Sequence, residues 1–307
     1  MKVLTVDIDG TYLRYACMDE FMKVAQRGKI FTPQDSRDAL IESIARIYEN
    51  IGDAEGIAIS MPGIIDSEKG YCFMGGALRY NDDFYFRDAL YNRCRTKIHI
   101  ENNAKCAAMA EATVGSLMDS EDGFVLIFST MIGGGYIRDH RIYKGKHFAA
   151  GEVSYIILNS ANKLGDENLW GRSFGIPKFL KRYSEVKNMD IETVDLLTIF
   201  DAVQKDEPEA VACLQWYTEE IAARIFNIQT VLDVEIFSIG GDMAKYPAFM
   251  DYLRDNLAQL YSECPFKLPQ AELVTSKFFS DANLIGALQC YLTKKYLVTN
   301  ENKSLTV

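Results

Sequence analysis

The sequence predicts an α/β protein of two similar lobes, each a mixed sheet flanked by helices, with a ligand cleft between them. Both halves open on short β-rich runs joined by Gly-containing turns. Each opening is followed by alternating helices and strands, the pattern of layered α/β domains. At 307 residues the chain is also long enough for two domains with a core each. The halves share no clear sequence repeat, so the likeness between them is architectural.

Lys2–Ile8 and Leu13–Met18 are β-rich runs joined by the turn at Asp9-Gly10, and Met22–Thr32 continues as a third strand. Pro33 and Asp35 open a helix over Ser36–Asn50, where Ala39, Leu40, Ile44 and Ile47 recur at helical spacing. Gly56–Ser60 reads as a buried strand stopped by Pro62-Gly63. Lys97–Ile100 is another strand, and Asn102 to about Leu117 an Ala-rich helix. After Gly115 the pattern restarts with strands at Gly123–Phe128, Gly135–Arg138 and Arg141–Tyr143, the first two separated by a Gly-rich turn. Helices follow near Leu169–Tyr183, Ile191–Gln204 and Pro208–Leu232. A strand at Val234–Ile239, a helix, a strand at Ala271–Thr275 and a helix over Asp281–Tyr296 complete the order, ahead of a polar, frayed tail at Thr299–Val307. The expected division is a small lobe at 1–117, with the helix of about 281–298 packing back on it, and a large lobe at 118–280.

Composition excludes several classes. A net charge of −10 gives no broad electrostatic grip on a nucleic-acid backbone. No stretch approaches 18 consecutive apolar residues and no signal peptide is visible, so neither a membrane span nor export is expected. The seven cysteines are scattered, none in CxxC spacing, and the three histidines do not cluster near them. Neither a disulfide framework nor a zinc site follows, and a reducing cytoplasm fits best.

Three turns carry the chemistry. Asp7-Ile8-Asp9-Gly10-Thr11 can set backbone N–H groups and a hydroxyl around a phosphate, with the acid facing a metal; Asp-Gly is equally a common hairpin turn. Ser129-Thr130-Met131-Ile132-Gly133-Gly134-Gly135 follows an apolar strand, and its glycines permit close approach to a ligand and the positive φ values of phosphate-binding loops. Gly240-Gly241-Asp242 suits passage beside an adenine ring or a plain strand-to-helix turn.

In order along the chain these segments resemble the ROK family of sugar kinases and sugar-responsive repressors, within the superfamily of hexokinase, actin and the heat-shock chaperone ATPases. Asp7–Thr11 is similar to the family's DIGGT motif and Ser129–Gly135 to its GTGIGGG motif. Ser60–Asp66 resembles the Pro-Gly segment near the sugar, Glu101–Ala108 the ENDANAAA helix start, and Tyr143-Lys144-Gly145 with Ala149–Glu152 the YxG…GAAGE run. The resemblance implies two actin-like, ribonuclease-H-like lobes that bind ATP, Mg²⁺ and a small-molecule sugar. It implies that Gly63, Asn102, Asn103, Glu152 and Tyr155 meet the sugar and that Asp7 faces Mg²⁺. Asp9, Gly10, Thr11, Thr130, Gly133 and Gly134 would surround the phosphates, and Gly240 and Gly241 the adenosine. Dimers are common among similar proteins, which makes a homodimer the oligomer to expect.

Several residues depart from that pattern. Asn103 stands where the family has the Asp that accepts the sugar hydroxyl's proton, and a neutral amide cannot take it up at pH 7. Its bland alternative is a helix N-cap. Asp9 replaces a Gly, and would repel phosphates, join Asp7 on a metal, or simply be a solvated turn residue. Ser129 and Met131 replace glycines, and Met has no routine access to positive φ, so the second turn is expected to sit differently. Tyr155 falls where many members have a zinc-binding His, and the cysteines that normally follow are missing, so no zinc is expected. The aromatic group Phe73, Tyr80, Phe84, Tyr85, Phe86 and Tyr91 reads mostly as packing, with one or two rings at the sugar entrance. Two readings stay open: a weakened ATP-dependent hexose or hexoside kinase, and a non-catalytic sugar- or nucleotide-binding relative. A repressor is disfavoured, because the phosphate motif begins at Asp7 with no helix-turn-helix before it.

Overall fold

The computed structural model describes residues 1–304, with side chains through Thr293; the expected tail lies partly outside them, at 305–307. The chain divides into two units, one of Met1–Val114, Arg141–Ala150 and Asp281–Val307, the other of Gly115–His140 and Gly151–Ser280. Arg141–Ala150, expected in the large lobe, therefore belongs with the N-terminal residues.

The first unit opens on β1 (Lys2–Ile8), β2 (Tyr12–Asp19) and β3 (Val24–Phe31), an antiparallel run. After helix α1 (Arg37–Ile51), β4 (Gly56–Met61) returns parallel to β1. Ser36 starts α1 by accepting the Ala39 N–H on its hydroxyl, and Gly52 ends it at φ 77°. A small hairpin follows, β5 (Ile64–Asp66) with β6 (Tyr71–Met74), then α2 (Phe86–Cys94), β7 (Lys97–Asn102) parallel to β4, and α3 (Asn103–Val114). The sheet order is β3-β2-β1-β4-β7. Residues of β1 and β4 beyond Lys2 are buried on both faces, as expected of central strands covered by helices.

In the second unit β8 (Gly123–Phe128) and β9 (Ile132–Arg138) form a hairpin. The short β10 (Arg141–Ile142) opens the segment that belongs to the first unit. Helices α4 (Trp170–Ser173), α5 (Ile176–Lys187), α6 (Leu196–Gln204) and α7 (Pro208–Leu232) lead to β11 (Ile236–Gly241), parallel to β8. Helix α8 (Pro247–Glu263) and β12 (Glu272–Thr275), parallel to β11, close the unit, whose strands run β9-β8-β11-β12. Its core is rich in aromatic rings, with Phe124, Phe128, Trp170, Phe179, Tyr217 and Phe249 all but fully buried. The last helix, α9 (Ala282–Ser304), returns to the first unit and packs on α3; it extends past the end expected at Tyr296 into the stretch expected to fray.

The structure corrects the sequence reading in five further places. The hairpin β5–β6 and helix α2 were not anticipated. The helix expected over Leu169–Tyr183 is two, because Gly175 caps a new start with Pro177 in its first turn. That over Ile191–Gln204 begins only after Asp195, whose carboxylate accepts the Thr198 N–H at 2.8 Å. Finally, β9 starts at Ile132, so Gly133, Gly134 and Gly135 are strand residues and not turn residues. Among the described residues no helix is long and apolar enough to cross a membrane.

Candidate functional site

Asp7 lies near the end of β1, opposite Arg14 on β2 and Ser60 on β4. That register puts its partners in place. Ser60 Oγ donates to Asp7 Oδ1 at 2.8 Å, Asn283 Nδ2 of α9 donates to the same oxygen at 2.9 Å, and the Arg14 guanidinium pairs with Oδ2. Burial, at 1% exposure, pushes the carboxyl above the usual carboxylate range, and Arg14, Ser60 and Asn283 oppose that shift. Three protein donors take three of the carboxylate's four lone-pair sites, so the set fits an acid that faces Mg²⁺ through water or phosphate oxygens rather than one that gives both oxygens to the metal.

The turn after Asp7 is tied down on every side. Asp9 Oδ1 accepts the N–H groups of Thr11 (2.7 Å) and Tyr12 (2.6 Å), a turn closed by its own side chain. Thr32 Oγ donates to the Asp9 carbonyl and Gln34 Nε2 to the Gly10 carbonyl, each at 2.9 Å. Asp9 is thus a built part of the hairpin, beyond the plain solvated acid weighed above. Two N–H groups of the kind a phosphate would use face this carboxylate.

A second group forms where β4 and β7 end. Gly63 has φ 112°, and a Cβ there would lie 1.9 Å from the Met74 carbonyl oxygen, so only glycine fits. Asn102, buried at the end of β7, donates through Nδ2 to the Gly63 carbonyl at 2.8 Å. Its Oδ1 accepts the Lys105 N–H at 3.1 Å. The N-cap of α3 is therefore Asn102, not Asn103 as one alternative had it. Asn103 stands in the first turn, half-buried, with Oδ1 accepting the Ala104 N–H at 2.8 Å. Behind this junction, buried Glu101 accepts the Asn102 N–H at 2.9 Å and pairs with Lys144 Nζ at 2.6 Å; Lys144 also bonds the Ser67 hydroxyl. Burial pulls the Lys144 ammonium down, and Glu101 more than restores it, leaving it above its ordinary range.

In the second unit Thr130 is exposed at the β8–β9 turn, which Ser129 closes by donating its N–H to the Met131 carbonyl at 3.1 Å. None of Gly133, Gly134 and Gly135 has positive φ, and neither does Met131, so the positive φ values expected of this turn do not occur at these four residues. What Gly134 supplies is room for the protein's own backbone. A Cβ on it would lie 2.8 Å from the Gly151 carbonyl, while Gly151, at φ 82°, rests against Gly134–Tyr136. That contact holds Glu152 beside β9, with Tyr155 three residues on and 45% exposed. Gly241, at φ 84°, is forced by Phe128, whose carbonyl a Cβ would meet at 2.1 Å; Gly240 packs on Ile127 and Ser276.

Gly63, Asn102 and Asn103 thus come together in the first unit, at the ends of strands that neighbour the one carrying Asp7, while in the second unit Gly134 and Gly151 bring Glu152 beside β9 and Thr130 stands apart at the β8–β9 turn. Arg14 and Asn283 had gone unnoticed, and Lys144 was named only as the middle residue of the Tyr143-Lys144-Gly145 segment, with no role. Arg14 was within reach of the sequence, since a hairpin pairing Ile8 with Leu13 sets residue 7 opposite 14. Asn283, 276 residues from Asp7, left no such signal.

The ROK family model matches residues 3–294. A β-glucoside kinase of Klebsiella pneumoniae is 27% identical over 289 residues, covering 94% of this chain and 95% of that protein. A ROK family protein of Streptococcus pneumoniae solved with sucrose superposes with a TM-score of 0.85 at 22% identity, covering 97% of this chain and 100% of the other. A ROK glucokinase of Streptomyces griseus solved with glucose and AMPPNP gives 0.81 at 19% identity, covering 94% and 99%.

Proposed function

The chain belongs to the ROK family, and from that premise we propose that it is a slow ATP-dependent kinase of a hexose or hexoside. The observation that carries this reading is the β7–α3 junction, where buried Asn102 is fixed to Gly63 and Asn103 follows in the first helical turn. Fixed by two protein bonds, Asn102 keeps one N–H and one lone pair for sugar hydroxyls. Gly10 and Thr11 in the first unit, and Thr130 and Gly133 in the second, are the groups offered to the phosphates of ATP, and Gly240-Gly241 to its adenosine, while Gly134 is taken up by the approach of Gly151. Mg²⁺ would enter with the nucleotide, and Asp7, with most of its lone pairs held by protein donors, would face it through water or phosphate oxygens. The β-glucoside kinase relative supports a sugar substrate and the AMPPNP-bound glucokinase a nucleotide.

Phosphoryl transfer depends chiefly on positioning and charge stabilisation, which survive the loss of a base. Asn103 holds the attacking hydroxyl by a hydrogen bond, and the proton leaves to water or to a phosphoryl oxygen. Losing the base costs about 10²–10⁴ in rate. A coupled ADP-release assay over hexoses and β-glucosides, wild type beside Asn103→Asp, tests this. The expected result is slow sugar-dependent turnover that rises at least about tenfold in the variant. Wild-type turnover of about 1–100 s⁻¹ with no gain in the variant would sink the assignment of Asn103.

One observation favours the binding-only reading: the Asp9 carboxylate already occupies the Thr11 and Tyr12 N–H groups. A thermal shift with sugar but none with MgATP, and no ADP release even from Asn103→Asp, would decide for it.

A further inference from the structure

The hairpin β5–β6 carries a register break. Ile64 pairs with Met74 and Ile65 with Cys72, which leaves Phe73 unpaired as a bulge. Bulges re-aim side chains and gather beside binding sites. Phe73 is 44% exposed, although its neighbour Cys72 is buried. Its ring stacks on Phe148, centroids 5.9 Å apart and planes 23° apart. Phe148 holds φ 61°, a region bulky side chains avoid. Tyr71 meets Phe73 edge-on at 4.9 Å and Tyr85 at 4.7 Å, and Tyr85 is 52% exposed. Two unfavourable backbone conformations thus serve one group of four rings, of which Phe73 and Tyr85 are exposed and Tyr71 and Phe148 half-buried. Burial does not explain it, since the core of this unit lies elsewhere, around Leu4, Ile59 and Phe86.

The position of the group says what it meets. Met74, next to Phe73, has its carbonyl packed against the α-carbon of Gly63, and the Gly63 carbonyl holds Asn102. Phe148 stands four residues after Lys144, the partner of Glu101. Phe73 therefore lies one residue from the contact that backs the sugar-facing turn of the proposed kinase, and Phe148, Tyr71 and Tyr85 extend the group from it ring to ring. An aromatic face attracts the polarised C–H groups of a sugar ring and stacks on an aryl group equally well. We propose that Phe73, Phe148, Tyr71 and Tyr85 form a platform for the aglycone of a β-glucoside, so that the substrate is a glycoside and not a free hexose. This rests on the kinase reading for the place of the first sugar ring, and the β-glucoside kinase relative supports the choice of anomer.

Calorimetric titration of the full chain with phenyl β-D-glucoside, cellobiose, phenyl α-D-glucoside and glucose reads the platform without turnover. Phenyl β-glucoside and cellobiose are expected to bind about tenfold tighter than glucose, with Phe73→Ala and Phe148→Ala each lowering that ratio about threefold to tenfold. Phe148→Gly takes φ 61° without strain, so it keeps the fold while losing the ring. The same fall in ratio there, with an unchanged or higher melting temperature, separates lost stacking from unfolding. An equal affinity for glucose and β-glucosides, a preference for the α-glucoside, or ratios that survive all three variants overturns the proposal. So does a dimer that Phe73→Ala dissociates with the ratio intact, which would make the rings a face for a second copy. Parallel ADP-release measurements keep the two readings apart. The expected ratios without phosphorylation would end the kinase reading and leave the platform; phosphorylation with ratios indifferent to the rings would do the reverse.

Discussion

At Asp9 one carboxylate decides how the first turn uses its amides. Its Oδ1 takes the Thr11 and Tyr12 N–H groups, and its charge stands where a phosphate would bring its own. Asp9→Gly removes both the competitor and the repulsion. MgATP should bind about threefold to thirtyfold tighter in the variant, one or two charge-assisted hydrogen bonds having been released. The same change gives up a side-chain turn and adds a flexible residue, at about 1–2 kcal/mol of stability. Titration with MgATP and a thermal melt read the two effects separately. Unchanged nucleotide affinity would show that these amides do not face a phosphate. The sequence could flag Asp9 as a departure, but its alternatives (repulsion, metal, solvated turn) differ only in where one side chain points. Spacing shows that a carboxylate sits in a hairpin turn; it does not show which amides it captures.

Elements were legible where the pattern was strong. The central strands, α1 and α7 follow from apolar runs, spacing and end signals such as Pro208. Helix α2 was missed because only Phe86 and Leu90 are buried in it and Tyr85 offers no capping side chain. The three glycines after Ile132 looked like a turn, yet they are a strand thinned to let Gly151 approach, a need set by a segment read separately. A similar close approach joins α3 to α9. An added Cβ at Gly286 would lie 1.7 Å from the Cys106 carbonyl, in the interior of a buried helix pair. Gly286→Ala should therefore force the helices apart and cost about 3 kcal/mol, lowering the melting midpoint by about 5 °C or more. Gly52→Ala is the useful contrast. There φ 77° is strained but the nearest atom lies at 3.9 Å, and about 1 kcal/mol is expected. Equal losses in the two variants would mean that backbone conformation, and not helix contact, decides at Gly286.

Across the whole molecule the first unit is assembled from three separated stretches, and the last of them is indispensable to it. Leu284, Ala287, Leu288, Tyr291 and Leu292 of α9 share a buried cluster with Val3, Ala16, Met18, Ala58 and Cys106. Asn283 adds a donor to buried Asp7. Four large apolar side chains at about 1.5–3 kcal/mol each amount to roughly 6–12 kcal/mol, as large as the net stability of an ordinary domain. The buried core of the second unit, by contrast, draws among the described residues on Phe124 to Leu273, with Phe279 packed against it. A chain ending at Ser280 should thus keep one unit and lose the other. Hydrogen exchange would find the amides of β8, β11 and α7 still protected while those of β1, β2 and β4 exchange within the dead time, with a single smaller unfolding transition on heating. Protection retained in β1 and β4 would mean that the N-terminal strands and α3 form a core without α9. The Asn102–Gly63 and Glu101–Lys144 contacts would then stand independently of the C-terminus. If instead the strands are lost, sugar affinity should vanish with them, because Asn102 and Gly63 are held by the strands that α9 covers.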